Sequence, residues 1–175
     1  RVGYHTVNPK SGNASVLGGT ATLNVGQDSA LTFNVSFLFT DAIAVELQAA
    51  TPFNHDISVD GAGKVGATKH LPPTLNVQYH FDLGAWKPYV GAGVNWTIFF
   101  DENTTGALAG TDLDLDDSFG LDVQLGVDYS IGNNWFINAE TRWIDIDTDA
   151  DINGAPLTTV EIDPFVYALT VGRKF

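Results

Sequence analysis

Strict alternation of apolar and polar residues, the lack of any amphipathic helix longer than a turn or two, and loops that alternate between short and long predict an all-β chain. The architecture they predict is an eight-stranded antiparallel up-and-down transmembrane β-barrel. Over residues 31–40, Leu31, Phe33, Val35, Phe37 and Phe39 hold one phase while Thr32, Asn34, Ser36, Leu38 and Thr40 hold the other. That is a strand with two unlike faces. Residues 71–81 repeat the pattern, with Leu71, Pro73, Leu75, Val77, Tyr79 and Phe81 against Pro72, Thr74, Asn76, Gln78 and His80. So do residues 119–129, where Phe119, Leu121, Val123, Leu125, Val127 and Tyr129 alternate with Gly120, Asp122, Gln124, Gly126 and Asp128.

Weaker versions over residues 2–7, 43–53, 88–100, 135–147 and 161–175 bring the count to eight, an even number. The connections 41–42, 82–87 and 130–134 are short and carry turn formers such as Gly84 and the run Gly132, Asn133, Asn134. The connections 8–29, 54–70, 101–117 and 148–160 are long and rich in Gly, Asn, Thr and Asp. One rim of short turns and one of long loops, with both termini at the short-turn rim, is the layout of an outer-membrane barrel.

Composition narrows the function classes. The length of 175 residues fits one domain over 1–175, and the opening Arg1, Val2, Gly3, Tyr4 reads as a mature chain from which any signal peptide is gone. Eight Lys plus Arg against 21 Asp plus Glu give a net charge of −13, which argues against a nucleic-acid partner. With no Cys there is no disulfide, thiolate catalyst or cysteine zinc site. No apolar run reaches the length of about 18 residues that a spanning helix requires.

Alternation alone does not say which face looks inward, and a soluble lipocalin-like barrel would bury the apolar face. Three features favour lipid outside. The polar phase is Asn, Gln, Thr, Ser and Gly with a few acids, whereas a water-facing exterior carries Lys and Glu of both signs. The mid-strand cation, Arg142, shares its phase with Asn138 and Glu140 and so faces the lumen, where it avoids the roughly 2–4 kcal/mol that an Arg costs on the lipid face. Aromatics gather near strand ends: Phe53, Phe100, Trp143, Phe165 and Tyr167 towards the long loops, and Tyr79, Phe81, Tyr129, Trp135 and Phe175 towards the short turns. Two such belts match the headgroup levels of a bilayer.

The run His70, Leu71, Pro72, Pro73, Thr74, Leu75, Asn76, Val77, Gln78, Tyr79, His80, Phe81, followed by Lys87, Pro88, Tyr89, Val90, Gly91, Ala92, Gly93, Val94, Asn95, resembles the OmpW family of bacterial outer-membrane proteins. The segments 135–139 and 142–148 resemble that family's seventh strand, and 5–10 its first strand and exit. The resemblance implies an integral outer-membrane protein, not an enzyme, with periplasmic termini and extracellular long loops. It implies passive carriage of small hydrophobic molecules, which enter from the long-loop side and leave sideways through the wall. Phe175, with Val171, Leu169 and Tyr167 in phase behind it, resembles the terminal signature read by the barrel-assembly machinery.

Such an exit has a physical handle. Pro72 and Pro73 begin the fourth strand and Pro52 lies near the end of the third, so both sides of one hairpin lose ladder donors at one height. Either the prolines end strands at the rim, or they open a lateral gate lined by Leu71, Leu75, Phe53 and Ile57. The interior of eight strands is nearly filled by side chains, and Tyr89, Phe99, Phe136 and Leu38 narrow it further. Glu46, His80, Asp122, Glu140 and Arg142 form the charged lumen set, with Arg142 paired to Glu140 or Asp122 as a structural plug or as a solute contact.

Other constellations fail. Asp149, Asp151, Asn153 and Gly154 match the opening of a calcium-binding EF-hand loop, but its twelfth position falls on Val160. His5, His55, His70 and His80 lack metal-ligand spacing, so no metal or cofactor is expected, and no catalytic set is visible. The acidic loops are expected to meet lipopolysaccharide through divalent cations. Besides hydrophobic solutes, a channel for small polar or zwitterionic solutes such as amino acids, and a structural or adhesion barrel, remain open readings.

Overall fold

The computed structural model describes residues 1–10 and 12–175. Among them run β1 (Val2–Asn8), β2 (Ala14–Val16), β3 (Ala21–Val25), β4 (Asp28–Leu38), β5 (Ile43–Ala50), β6 (Phe53–Val59), β7 (Gly63–Leu71) and β8 (Thr74–His80). They continue with β9 (Trp86–Thr104), β10 (Leu113–Leu115), β11 (Ser118–Gly132), β12 (Trp135–Ile144), β13 (Asp147–Ile152), β14 (Ala155–Glu161) and β15 (Phe165–Arg173). Eight of these, in the order β1, β4, β5, β8, β9, β11, β12 and β15, pair antiparallel with their neighbours, and β15 returns to β1. The ring is closed, which is what lipid requires, since an open edge would leave N–H and C=O groups unpaired in hydrocarbon.

Polarity is turned inside out. Val35, Phe119 and Leu169 are 73%, 72% and 65% exposed on the outer face, while Arg142, Asn138 and Gln78 are buried inside. A water-soluble barrel would show the reverse. Short turns close one rim, with Asn133 and Asn134 at φ 52 and 66, values that Asn tolerates better than most residues.

At the other rim the segments expected to be irregular loops contain strands. β6 and β7 form a hairpin, β3 and β2 add to its edge, and β7 pairs with the upper half of the 19-residue β9. β13 and β14 form a second hairpin to which β10 adds. Turn residues dominate these segments and mask the alternation, yet Leu23, Ile57 and Val160 lie buried on their inner face. Asn153 and Gly154, at φ 52 and 74, make the two-residue turn of the second hairpin, so the EF-hand-like stretch is a hairpin. Asn13 joins the two extensions, its amide donating to the Glu161 carbonyl at 2.8 Å and its own carbonyl accepting from Glu161 N–H at 2.9 Å.

Candidate functional site: lumen, funnel and seam

The lumen of the ring is filled by a polar network. Arg142, projecting from β12, donates Nε–H to Glu140 Oε1 at 3.0 Å and lies 3.5 Å from Asp122 Oδ2 and 3.6 Å from Glu46 Oε1. Arg1 meets it from the first strand, 2.8 Å from Glu46 Oε2 and 3.4 Å from Glu140 Oε2, and donates to the Tyr89 hydroxyl at 2.7 Å. Tyr89 donates in turn to Glu140 Oε2 at 2.7 Å, and Asn138 links Tyr89 to Asp128. Charges removed from water are tolerable only when paired and hydrogen-bonded like this.

Glycines on neighbouring strands make the room. A Cβ on Gly126 would stand 2.4 Å from the Tyr89 ring, and one on Gly172 2.2 Å from the Phe136 ring. Large side chains therefore cross the lumen above backbone that has none. The plug leaves little space for a continuous aqueous path.

Above the plug the extensions enclose a cavity of about 290 Å³, whose lining includes Val16, Leu23, Ile57, Val65, Leu113 and Ile152. Among the described residues, no Lys or Arg lines it. Its polar side chains are Thr68, Thr97, Thr148 and two histidines, His55 and His70. The histidine rings stack at 4.8 Å, with Phe53 on His70 at 5.3 Å. Burial, with His55 as neighbour, pushes the His70 imidazole down to about 3, and burial also lowers His55.

Between funnel and plug the wall has a seam. β5 pairs with β8 up to Gln48 opposite Thr74, and β6 pairs with β7 from Phe53 opposite His70 onwards. Between these pairs, residues 49–52 face 71–73 without a ladder bond among the described residues. Pro52, Pro72 and Pro73 have no N–H to give. Ala49 and Ala50 pair instead with Phe33 and Thr32 of β4, and the Pro73 carbonyl accepts from Trp96 N–H of β9 at 3.0 Å. Both flanks are thus held from behind while the seam itself is unbonded.

The expected gate and lumen residues fall in different places. Pro52 is exposed and Pro72 buried, one on each side of the seam; Leu71 is half-buried beside it. Leu75 lies one position below Thr74 and faces outward at 49% exposure. Phe53 was expected in the outer aromatic belt and in the lining of the gap; it points inward at 1% exposure under the histidine stack. The phase explains it: on β6, Phe53, His55 and Ile57 share the buried face. Glu46, Asp122, Glu140 and Arg142 meet in one network, while His80, half-buried, joins it at the edge: its ring lies 4.8 Å from that of Tyr89, and its Nε2 is 3.0 Å from Gln78 Oε1, which also accepts from Arg1.

The OmpW family model matches residues 1–175, the whole chain. The chain belongs to the OmpW family. It is 43% identical to outer membrane protein W of Vibrio cholerae, over 100% of this chain and 87% of that protein. The crystal structure of the outer membrane protein OprG from Pseudomonas aeruginosa superposes with a TM-score of 0.88 at 38% identity, covering 100% of this chain and 93% of the other. A more distant relative, 27% identical over 91% of this chain and 77% of its own length, is the dibenzothiophene metabolism operon protein PahQ of Pseudomonas aeruginosa. OmpW proteins are outer-membrane barrels and not enzymes, so this chain is an integral protein of a bacterial outer membrane.

Sequence reasoning on this OmpW chain missed Arg1, which shares the inward phase of β1 with the buried His5 and Val7. That phase was the available signal. The meeting of His55 and His70 had none, because it depends on the register of a hairpin read as a loop.

Proposed function

We propose that this chain is a passive channel for small, mainly apolar molecules, which enter the funnel from the extracellular side and leave sideways into the membrane through the seam at Pro52, Pro72 and Pro73. The observation that carries the reading is the position of an apolar cavity above a charged plug that leaves little axial space. An apolar molecule gains by entering the funnel and would lose that gain on meeting Arg142 and Glu140. The unbonded seam offers the alternative path. PahQ, whose name ties it to the metabolism of an apolar aromatic, fits the same solute class.

In this reading the ring is one barrel unit over 1–175, with termini in the periplasm and the acidic rim among lipopolysaccharide headgroups. Phe175 is the mark recognised by the assembly machinery. The same reading assigns the lumen set Glu46, Asp122, Glu140 and Arg142, with Arg1, to closing the axial path, with His80 at its edge against Tyr89 and Gln78. A channel for zwitterions would use those charges, but their hydrogen-bonding atoms face one another.

The test is the double variant Pro72→Ala/Pro73→Ala, which restores two donors to the seam. Uptake of an apolar aromatic by outer-membrane vesicles is expected to fall severalfold, with the barrel still folded by its gel mobility. Unchanged uptake refutes the lateral path.

A further inference from the structure

The funnel holds three buried imidazole nitrogens without a protein partner, His55 Nε2 and both nitrogens of His70. His55 and His70 are only 2% and 4% exposed, and both line the apolar cavity. Their orientation is fixed: the two rings lie within 6° of parallel, with Phe53 and Phe99 packed on His70. His55 Nδ1 lies against the Gly26 carbonyl, which can only accept, so the proton sits on Nδ1. Nε2 of His55 is therefore a bare acceptor. A buried polar atom left unmatched is costly.

We propose that the funnel is a binding site for apolar molecules carrying a single hydroxyl group, which donates to the acceptor nitrogen of His55 or His70 while the body packs against Ile57, Val65 and Leu113. The proposal rests on the reading that the funnel receives apolar molecules, and adds the group that it recognises. A metal is not the match, because an ion lies in the plane of each ligand ring and two stacked, nearly parallel planes share no such point. A carboxylate is not the match either: the imidazoles are neutral and no cation lines the cavity, so an ionised group would be buried unpaired. An alkane fits the walls and leaves the nitrogens unmatched.

The experiment titrates 1-octanol, octane and octanoate into the full chain in phosphatidylcholine nanodiscs, with the chain uniformly labelled with nitrogen-15 so that both ring nitrogens and backbone amides are read. Octanol is expected to shift the ring-nitrogen resonances of His55 and His70; octane is expected to perturb only the funnel amides, and octanoate neither. The variant His55→Phe/His70→Phe is expected to lower the ratio of octanol to octane affinity about three- to tenfold, the worth of one net hydrogen bond. If octane and octanol perturb the same amides and octanol moves no ring nitrogen, the hydroxyl site is refuted while the apolar funnel stands. If neither perturbs the funnel, the apolar reading falls and the site falls with it. The wild-type comparison alone decides the matter should the variant fold poorly.

Discussion

Arg1 and Arg142 hold the two oxygens of one carboxylate: Nη2 of Arg1 lies 2.8 Å from Glu46 Oε2, and Nη2 of Arg142 lies 3.6 Å from Oε1. They share Glu140 as well, Arg1 at Oε2 and Arg142 at Oε1. β1 and β12 are not neighbours in the ring, since β15 lies between them. The shared carboxylates therefore tie the wall together across its interior, a bond that the backbone ladder cannot make.

Replacing one cation exposes the size of that tie. Arg142→Met keeps the length of the side chain but leaves Glu140, Asp122 and Glu46 buried with a missing partner. A loss of about 3–5 kcal/mol is expected, read as a lower urea midpoint for unfolding from lipid vesicles, together with higher single-channel conductance in planar bilayers.

Gly126→Val tests the space under Tyr89. Its Cβ would meet the ring at 2.4 Å, so Tyr89 has to move off Glu140 and Arg1. Overpacking is expected to cost about 1–3 kcal/mol. The same change combined with Tyr89→Ala is expected to recover part of that cost, and a double-mutant cycle measures the coupling.

Leu157 lines the funnel yet is 46% exposed, so altering it disturbs little packing. Leu157→Asp is expected to leave unfolding within about 0.5 kcal/mol of the parent and to reduce uptake of an apolar aromatic by vesicles. Equal uptake would count against the funnel as the entrance.

The histidine stack gives the hairpin of β6 and β7 a pH dependence. A free imidazole titrates near 6.5, and that of His70 is held down to about 3. Between these values the opened hairpin binds a proton that the closed one refuses. Its stability is complete above about pH 6.5 and is lost progressively as the pH falls towards 3. Protection factors in β6 and β7, that is exchange corrected for its intrinsic slowing in acid, are expected to fall between pH 7 and pH 4.5 while those of β12 and β15 hold, and His70→Phe is expected to remove most of the difference, with His55 supplying the rest.

The ring was legible because alternation is the physical requirement of a wall with lipid on one side: Val123, Leu125 and Val127 outward and Gln124, Gly126 and Asp128 inward can be read without knowing any partner. The charged set was legible for the same reason, Arg142 having nowhere to point but inward. What was not legible depends on pairing between distant segments. Phe53 changes from a belt residue to a floor for His70 because β6 continues the inward phase after Pro52. The funnel was hidden because its strands are three to nine residues long and interrupted by Gly and Asn, so no window of alternation is long enough to detect.

The extensions reach beyond the ring by the nine residues of β7, about 20–30 Å at a strand's rise. In the proposed orientation this is a dry sleeve standing through the sugar layer that coats the cell. For a molecule crossing that layer unaided, the barrier is the apolar surface that it must keep wetted, and this grows with its size. At about 0.8 kcal/mol per methylene, a sleeve that spares the wetting gains roughly fourfold in rate for each carbon added. Under the proposed function, the advantage of possessing this protein is therefore steepest for the molecules least able to manage without it, and vanishes for those small enough to cross as they are.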